Sequence, residues 1–178
     1  MRARHADNGN GLHMHWLEAG DPSPGTPMVV LLHGFPELAF SWRYQLTALA
    51  QAGFHVVAPD QRGYGRTTGW NAAPGTDLRA FRMDNLVRDV LGLVQALGKK
   101  SVHAVVGHDF GSHVAAWCAL IRPDVFRSLA MLATPSVSPS IRALICGSSE
   151  AYCSVLLPPD ILRSSDMRAK VQCLVKRT

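Results

Sequence analysis

Four short runs of the chain are apolar at nearly every position: Met28 to His33, Phe54 to Ala58, Val102 to Val106 and Phe126 to Ala133. A strand buried on both faces of a parallel sheet requires that pattern, because neither side of it meets water. Between these runs the apolar residues recur at helical spacing. Trp42, Leu46 and Leu49 form one stripe of Ser41 to Ala52, which ends at Gly53, and Leu86, Val90, Leu93, Val94 and Leu97 form a second, closed by Gly98. Phe110 to Leu120 predicts a third helix, terminated by Arg122-Pro123. Leu12 to Glu18 alternates loosely before Gly20-Asp21-Pro22 and Pro24-Gly25, which predicts an early strand followed by a turn-rich loop. Strands alternating with helices of this length predict an α/β fold built on a doubly wound, mostly parallel sheet.

The pattern fades near Ser136. Residues 1–135 read as the sheet-forming part, and residues 136–178 as a divergent tail or partial lid, rich in Ser and Pro, with weak helical spacing only at Ile141 to Ile145 and Ile161 to Val171. The expected sheet is then incomplete, lacking its last strands. Phe126 to Ala133 would form a bare apolar edge, a hazard for self-association that fixes no particular oligomer.

Composition narrows the class. A chain of 178 residues that is 47% hydrophobic and 17% charged is an ordinary globular domain. Its apolar runs fall far short of the roughly 18 residues of a membrane span. The polar stretch Met1 to Asn10 lacks the apolar core of a secretory signal, which points to a cytoplasmic setting. The net charge of +5 is scattered, with only Lys99-Lys100 and Lys176-Arg177 adjacent, so no nucleic-acid footprint is drawn. Cys118, Cys146, Cys153 and Cys173 form no CxxC pair and no Cys/His ligand spacing, so they read as free thiols and no metal is expected. No phosphate-binding loop follows any strand, and no cofactor is implied.

The chemistry concentrates where the run Val102 to Val106 becomes a helix. In Gly107-His108-Asp109-Phe110-Gly111-Ser112 one carboxylate stands among small residues, the build of a nucleophile elbow with Asp109 at its apex. A side chain there is forced outward above the strand ends, beside backbone N–H groups at a helix N-terminus. A second loop, His33-Gly34-Phe35-Pro36-Glu37, leaves the first buried strand at the same end of the sheet, where ligand sites of open α/β sheets lie. Gly34 permits a sharp turn and Pro36 fixes the path. The N–H groups of Phe35 and Phe110 can therefore converge on one oxyanion.

By these motifs, with Ser41-Trp42-Arg43 and Pro59-Asp60-Gln61-Arg62-Gly63-Tyr64-Gly65, residues 10 to 140 resemble the α/β-hydrolase family and, within it, the soluble epoxide hydrolases. The resemblance implies an α/β-hydrolase fold and a small apolar epoxide as substrate. Asp109 would attack an epoxide carbon to form an alkyl-enzyme ester, with the N–H groups of Phe35 and Phe110 as oxyanion hole. The chemistry suits a carboxylate, which is already anionic at neutral pH. Hydrolysis of the ester then requires a histidine to activate water and an acid to orient it.

Here the chain departs from the family. The order on this fold is nucleophile, acid, histidine, yet the eight histidines end at His113. His108 reads as a wall or core residue, His33 as a residue that holds its loop by hydrogen bonds, and His113 as packed. The lid tyrosines that the family uses are not carried onto Tyr152. Asp60 and Arg62 read as a turn-stabilising ion pair, Asp84 and Asp89 as a solvated helix face, and Trp42 equally as pocket wall or core. The expectation is an epoxide hydrolase-like chain that does not turn over as written. A haloalkane or haloacid dehalogenase on the same fold is the alternative enzyme, and a truncated isoform or pseudoenzyme the non-catalytic one.

Overall fold

Successive side chains of the central strand take opposite sides: Val30 and Leu32 enter one apolar cluster, Val29 and Leu31 the other. The computed structural model describes residues 1–133 and, as backbone, the strand Cys153–Leu156. Its elements in chain order are β1 (Arg2–Asp7), β2 (His13–Ala19), β3 (Met28–Leu32), α1 (Arg43–Gln51), β4 (His55–Pro59), α2 (Met83–Ala96), β5 (Ala104–His108), α3 (Phe110–Ile121), β6 (Leu129–Leu132) and β7 (Cys153–Leu156). Single 3-10 turns precede α1 at Ala39–Trp42 and α2 at Leu78–Phe81.

The sheet order is β1-β2-β4-β3-β5-β6-β7. The four strands β4-β3-β5-β6 are parallel, and antiparallel pairs flank them on both sides. Every residue of β3 and β4 is buried, as their unbroken apolar runs require. On one face α2 and α3 pack Leu86, Val90, Leu93, Val114 and Ala115 against Val30, Leu32 and Val105. On the other, Leu46 and Leu49 of α1 join Trp42, Val29, Leu31, Val56 and Val106. Cys118, in α3, is a buried free thiol, and burial in an apolar setting pushes its pKa far up. No described helix is long and apolar enough to cross a membrane.

Two expectations change. The edge β6 is not bare: β7, within residues 136–178, pairs with it antiparallel, Leu129 opposite Leu156 and Leu132 opposite Cys153. The polar N-terminus also forms a strand, β1, invisible to apolar periodicity because almost all of it is exposed. Backbone pairing holds it to β2, and Arg2 and Arg4 reach the buried Glu18 at 3.2 and 3.3 Å. The helical spacings expected at Ile141 to Ile145 and Ile161 to Val171 lie outside the described residues, as does Tyr152.

Candidate active site

The parallel strands β3 and β5 are neighbours, so the loops at their C-terminal ends, His33 to Glu37 and the turn at Asp109, emerge side by side. Asp109 has φ 50° and ψ −120°, a backbone conformation that an L-residue adopts only under constraint from its surroundings. The constraint is visible. A Cβ on Gly107 would lie 2.2 Å from the Gly111 carbonyl oxygen, and one on Gly111 would lie 2.3 Å from that of Leu32. Strand, turn and helix are thus in backbone contact, and only glycine fits at either position. Ser112, fully buried, donates to the Gly107 carbonyl at 2.7 Å and accepts from the Leu132 N–H at 3.2 Å. The Asp109 N–H donates to the Leu132 carbonyl at 3.0 Å, which ties the turn to β6 as well.

The carboxylate so presented is held by backbone donors. The Phe35 N–H donates to Asp109 Oδ1 at 3.0 Å. That bond, and a second from the Phe110 N–H, hold the Asp109 carboxyl below the usual carboxylate range. The Phe35 N–H, expected as one donor of an oxyanion hole, thus meets Asp109 Oδ1 itself. Gly34 makes this approach possible, since a Cβ there would stand 2.6 Å from Asp109 Cβ and 2.9 Å from its Oδ1.

His33 lies beneath the loop, fully buried. Its Nε2 accepts the Gln61 N–H at 3.1 Å while Nδ1 meets the Gly34 carbonyl at 2.9 Å, so the ring is the neutral tautomer with its proton on Nδ1. Burial lowers its pKa, in keeping with that state. Both nitrogens are engaged in holding the loop. The Pro36 peptide directs the chain to Glu37, whose N–H closes a turn onto the Gly34 carbonyl at 3.0 Å. Glu37 Oε2 lies 3.0 Å from His108 Nδ1 and accepts the Gly34 N–H at 3.3 Å. Glu37 went unmarked in the sequence beyond its place in the loop, and the turn it closes was the available signal.

Glu37 and His108 line a cleft of about 130 Å³ with Ser41, Trp42, Gln45 and Leu132. The Trp42 ring packs in the core beside α1 and meets the edge of His108, centroids 6.5 Å apart. Its indole Nε1, buried, has no hydrogen-bond partner. Phe35 is 70% exposed and Phe110 36% exposed. His113 is partly buried one turn into α3.

Two ion-pair expectations are corrected. Arg62 does not pair with Asp60; its guanidinium makes two 2.7 Å bonds to Asp89, and both residues are buried. Asp89 therefore faces inward from α2, whereas Asp84 is exposed. Asp60 instead accepts from the Ala39 N–H at 2.9 Å, from the Arg66 N–H at 2.9 Å and from His15 at 2.8 Å, anchoring the segment that follows Glu37.

Comparison with known proteins agrees with this geometry. A family model described as the alpha/beta hydrolase fold matches residues 27–145. Epoxide hydrolase A of Mycobacterium tuberculosis is 42% identical over 128 residues, which span 72% of this chain and 37% of that protein. Among solved structures, an epoxide hydrolase of Vigna radiata superposes with a TM-score of 0.67 at 37% identity, over 78% of this chain and 43% of that one. Epoxide hydrolase A of Mycobacterium thermoresistibile gives 0.67 at 40% identity, over 80% and 43%. The chain thus spans less than half the length of these relatives. A strained carboxylate turn, a glycine loop closing on it and the matched sheet together place the chain in the alpha/beta hydrolase fold family, among proteins similar to epoxide hydrolases.

Proposed function

We propose that this chain carries the nucleophile half of an epoxide-opening hydrolase, with Asp109 as nucleophile. The observation that carries the reading is the Asp109 carboxylate at the apex of a strained turn, with Oδ1 on the Phe35 N–H. Oδ2 attacks an epoxide carbon. The carbon–oxygen bond of the ring breaks, an alkyl ester forms on Asp109, and the released alkoxide takes up a proton. Oδ1 becomes the ester carbonyl oxygen and keeps the Phe35 N–H, with the Phe110 N–H as the second donor. When water adds to that carbonyl, the same donors stabilise the oxyanion, and collapse returns the carboxylate and a diol. Gly34, Pro36, Gly107, Gly111 and Ser112 set the geometry, His33 holds the loop, and Trp42 and His108 wall the cleft. An apolar substrate fits the exposed rings of Phe35 and Phe110, and the epoxide hydrolases among its relatives favour an epoxide over a halide.

Ester hydrolysis needs an imidazole base. His33 is engaged at both nitrogens, and our reading keeps His108 as a wall of the cleft and His113 as a packed residue of α3 rather than as the base. On that reading the described residues form the ester without releasing it as diol. Incubation with a styrene-oxide-type epoxide tests this. The expected result is consumption of no more than one equivalent, without sustained diol release. Sustained diol release that disappears in Asp109→Ala would keep the nucleophile and overturn the arrest at the ester.

A further inference from the structure

His5 on β1 and His13 and His15 on β2 share one face of that antiparallel pair. His5 stands directly opposite His15, and His13 lies two residues along, where side chains return to the same side. The ring centroids are 4.8 Å apart for His5 and His15 and 5.6 Å apart for His5 and His13. Two imidazoles bound to one tetrahedral zinc-class ion at about 2.0–2.1 Å have centroids roughly 5 Å apart. Both observed spacings lie close to that value.

Two of the rings are backed by carboxylates. His13 Nδ1 is 3.0 Å from Asp7 Oδ1, and His15 Nδ1 is 2.8 Å from Asp60 Oδ2. A carboxylate on Nδ1 keeps the proton there and leaves Nε2 as the lone-pair donor, the support that metal-bound histidines generally have. His15 Nε2 is buried and has no hydrogen-bond partner. Nothing in the hydrolase reading uses it.

As the rings stand, no three such groups among the described residues converge on one point. His5 is stacked on His13 with 7° between planes. Both are exposed and able to turn, whereas His15 is held by Asp60. We propose that His5, His13 and His15 form a site for a divalent transition-metal ion of the zinc and cobalt class. It assembles when His5 and His13 rotate their ring nitrogens towards Nε2 of His15, and water takes the fourth position. An all-imidazole set selects such ions over magnesium or calcium, which prefer oxygen. The cysteine spacing that argued against a metal does not bear on these histidines.

The test is titration of the untagged full chain with Zn²⁺ by calorimetry and with Co²⁺ by visible absorption. One equivalent should bind, with the intense bands of tetrahedral Co²⁺, and Zn²⁺ should displace it. His5→Ala and His13→Ala, both at exposed positions, should each weaken binding at least about tenfold with unchanged circular dichroism, and Asp7→Ala about tenfold. Failure of either ion to bind, or binding undiminished in both His5→Ala and His13→Ala, overturns the site.

Discussion

The Phe35 N–H and Asp109 Oδ1, 74 residues apart in sequence, are 3.0 Å apart in the fold. The contact joins the end of β3 to the turn after β5, and it depends on the absence of a side chain at position 34. Gly34→Ala would place a methyl 2.6 Å from Asp109 Cβ. The loop must then retreat and take the Phe35 donor with it. The methyl also crowds Asp109 itself, so its alkylation by an epoxide, followed by mass spectrometry, should slow by about 10²-fold, the cost of a displacement of about 1 Å at a reacting group. Circular dichroism should remain close to the parent's.

The same donors set a pH dependence. Because the Phe35 and Phe110 N–H groups hold the Asp109 carboxyl below the usual range, the carboxylate persists as pH falls past the ordinary aspartate value of about 3.9. Alkylation by the carboxylate should be level from neutrality to about pH 5, provided the fold is intact. A rate that halves within that interval would show a carboxyl raised above the ordinary aspartate value, opposite to the direction the backbone donors impose.

Buried His33 gives stability a different pH dependence. Burial lowers its pKa in the folded state, so on acidification the unfolded chain binds the proton first. Its contribution is complete above the unfolded value of about 6.5 and is lost progressively as pH falls from there towards the folded value. His55, lowered by burial as well, adds to the same trend. Urea midpoints measured between neutrality and about pH 5 should decline, and His33→Gln should flatten the slope.

Arg62 and Asp89 test the core independently of any chemistry. Their two 2.7 Å bonds lie in the interior, where Asp89 Oδ1 also accepts from Asn8 at 3.2 Å and Asn10 at 2.7 Å. Arg62→Ala leaves a buried carboxylate without its cation and should destabilise the protein by about 3–5 kcal/mol in urea denaturation. Arg122→Ala, which breaks a pair open to solvent, should leave the midpoint nearly unchanged.

These residues also show what the sequence reveals and what it hides. The strands β3, β4 and β5 are legible because burial on both faces demands unbroken apolar runs, and the Asp109 turn because backbone crowding excludes all but glycine at positions 107 and 111. Periodicity has no purchase on β1, whose Arg2 and Arg4 are solvated while their partner Glu18 is buried. Arg62 beside Asp60 reads as a local pair because proximity along the chain is all a sequence offers. Its actual partner, Asp89, arrives from α2, and the nearer carboxylate is occupied by the Ala39 N–H and His15. The contact of Glu37 with His108 is hidden for the same reason, since it exists only once β3 and β5 are neighbours.

We propose Asp109 as a nucleophile held ready by the Phe35 and Phe110 N–H groups. Intact-mass measurement after exposure to a styrene-oxide-type epoxide, followed by peptide mapping, tests it most directly. One substrate mass should be added per chain, mapped to Asp109 and absent in Asp109→Asn. No adduct on the folded chain, or one that persists in Asp109→Asn, would contradict it.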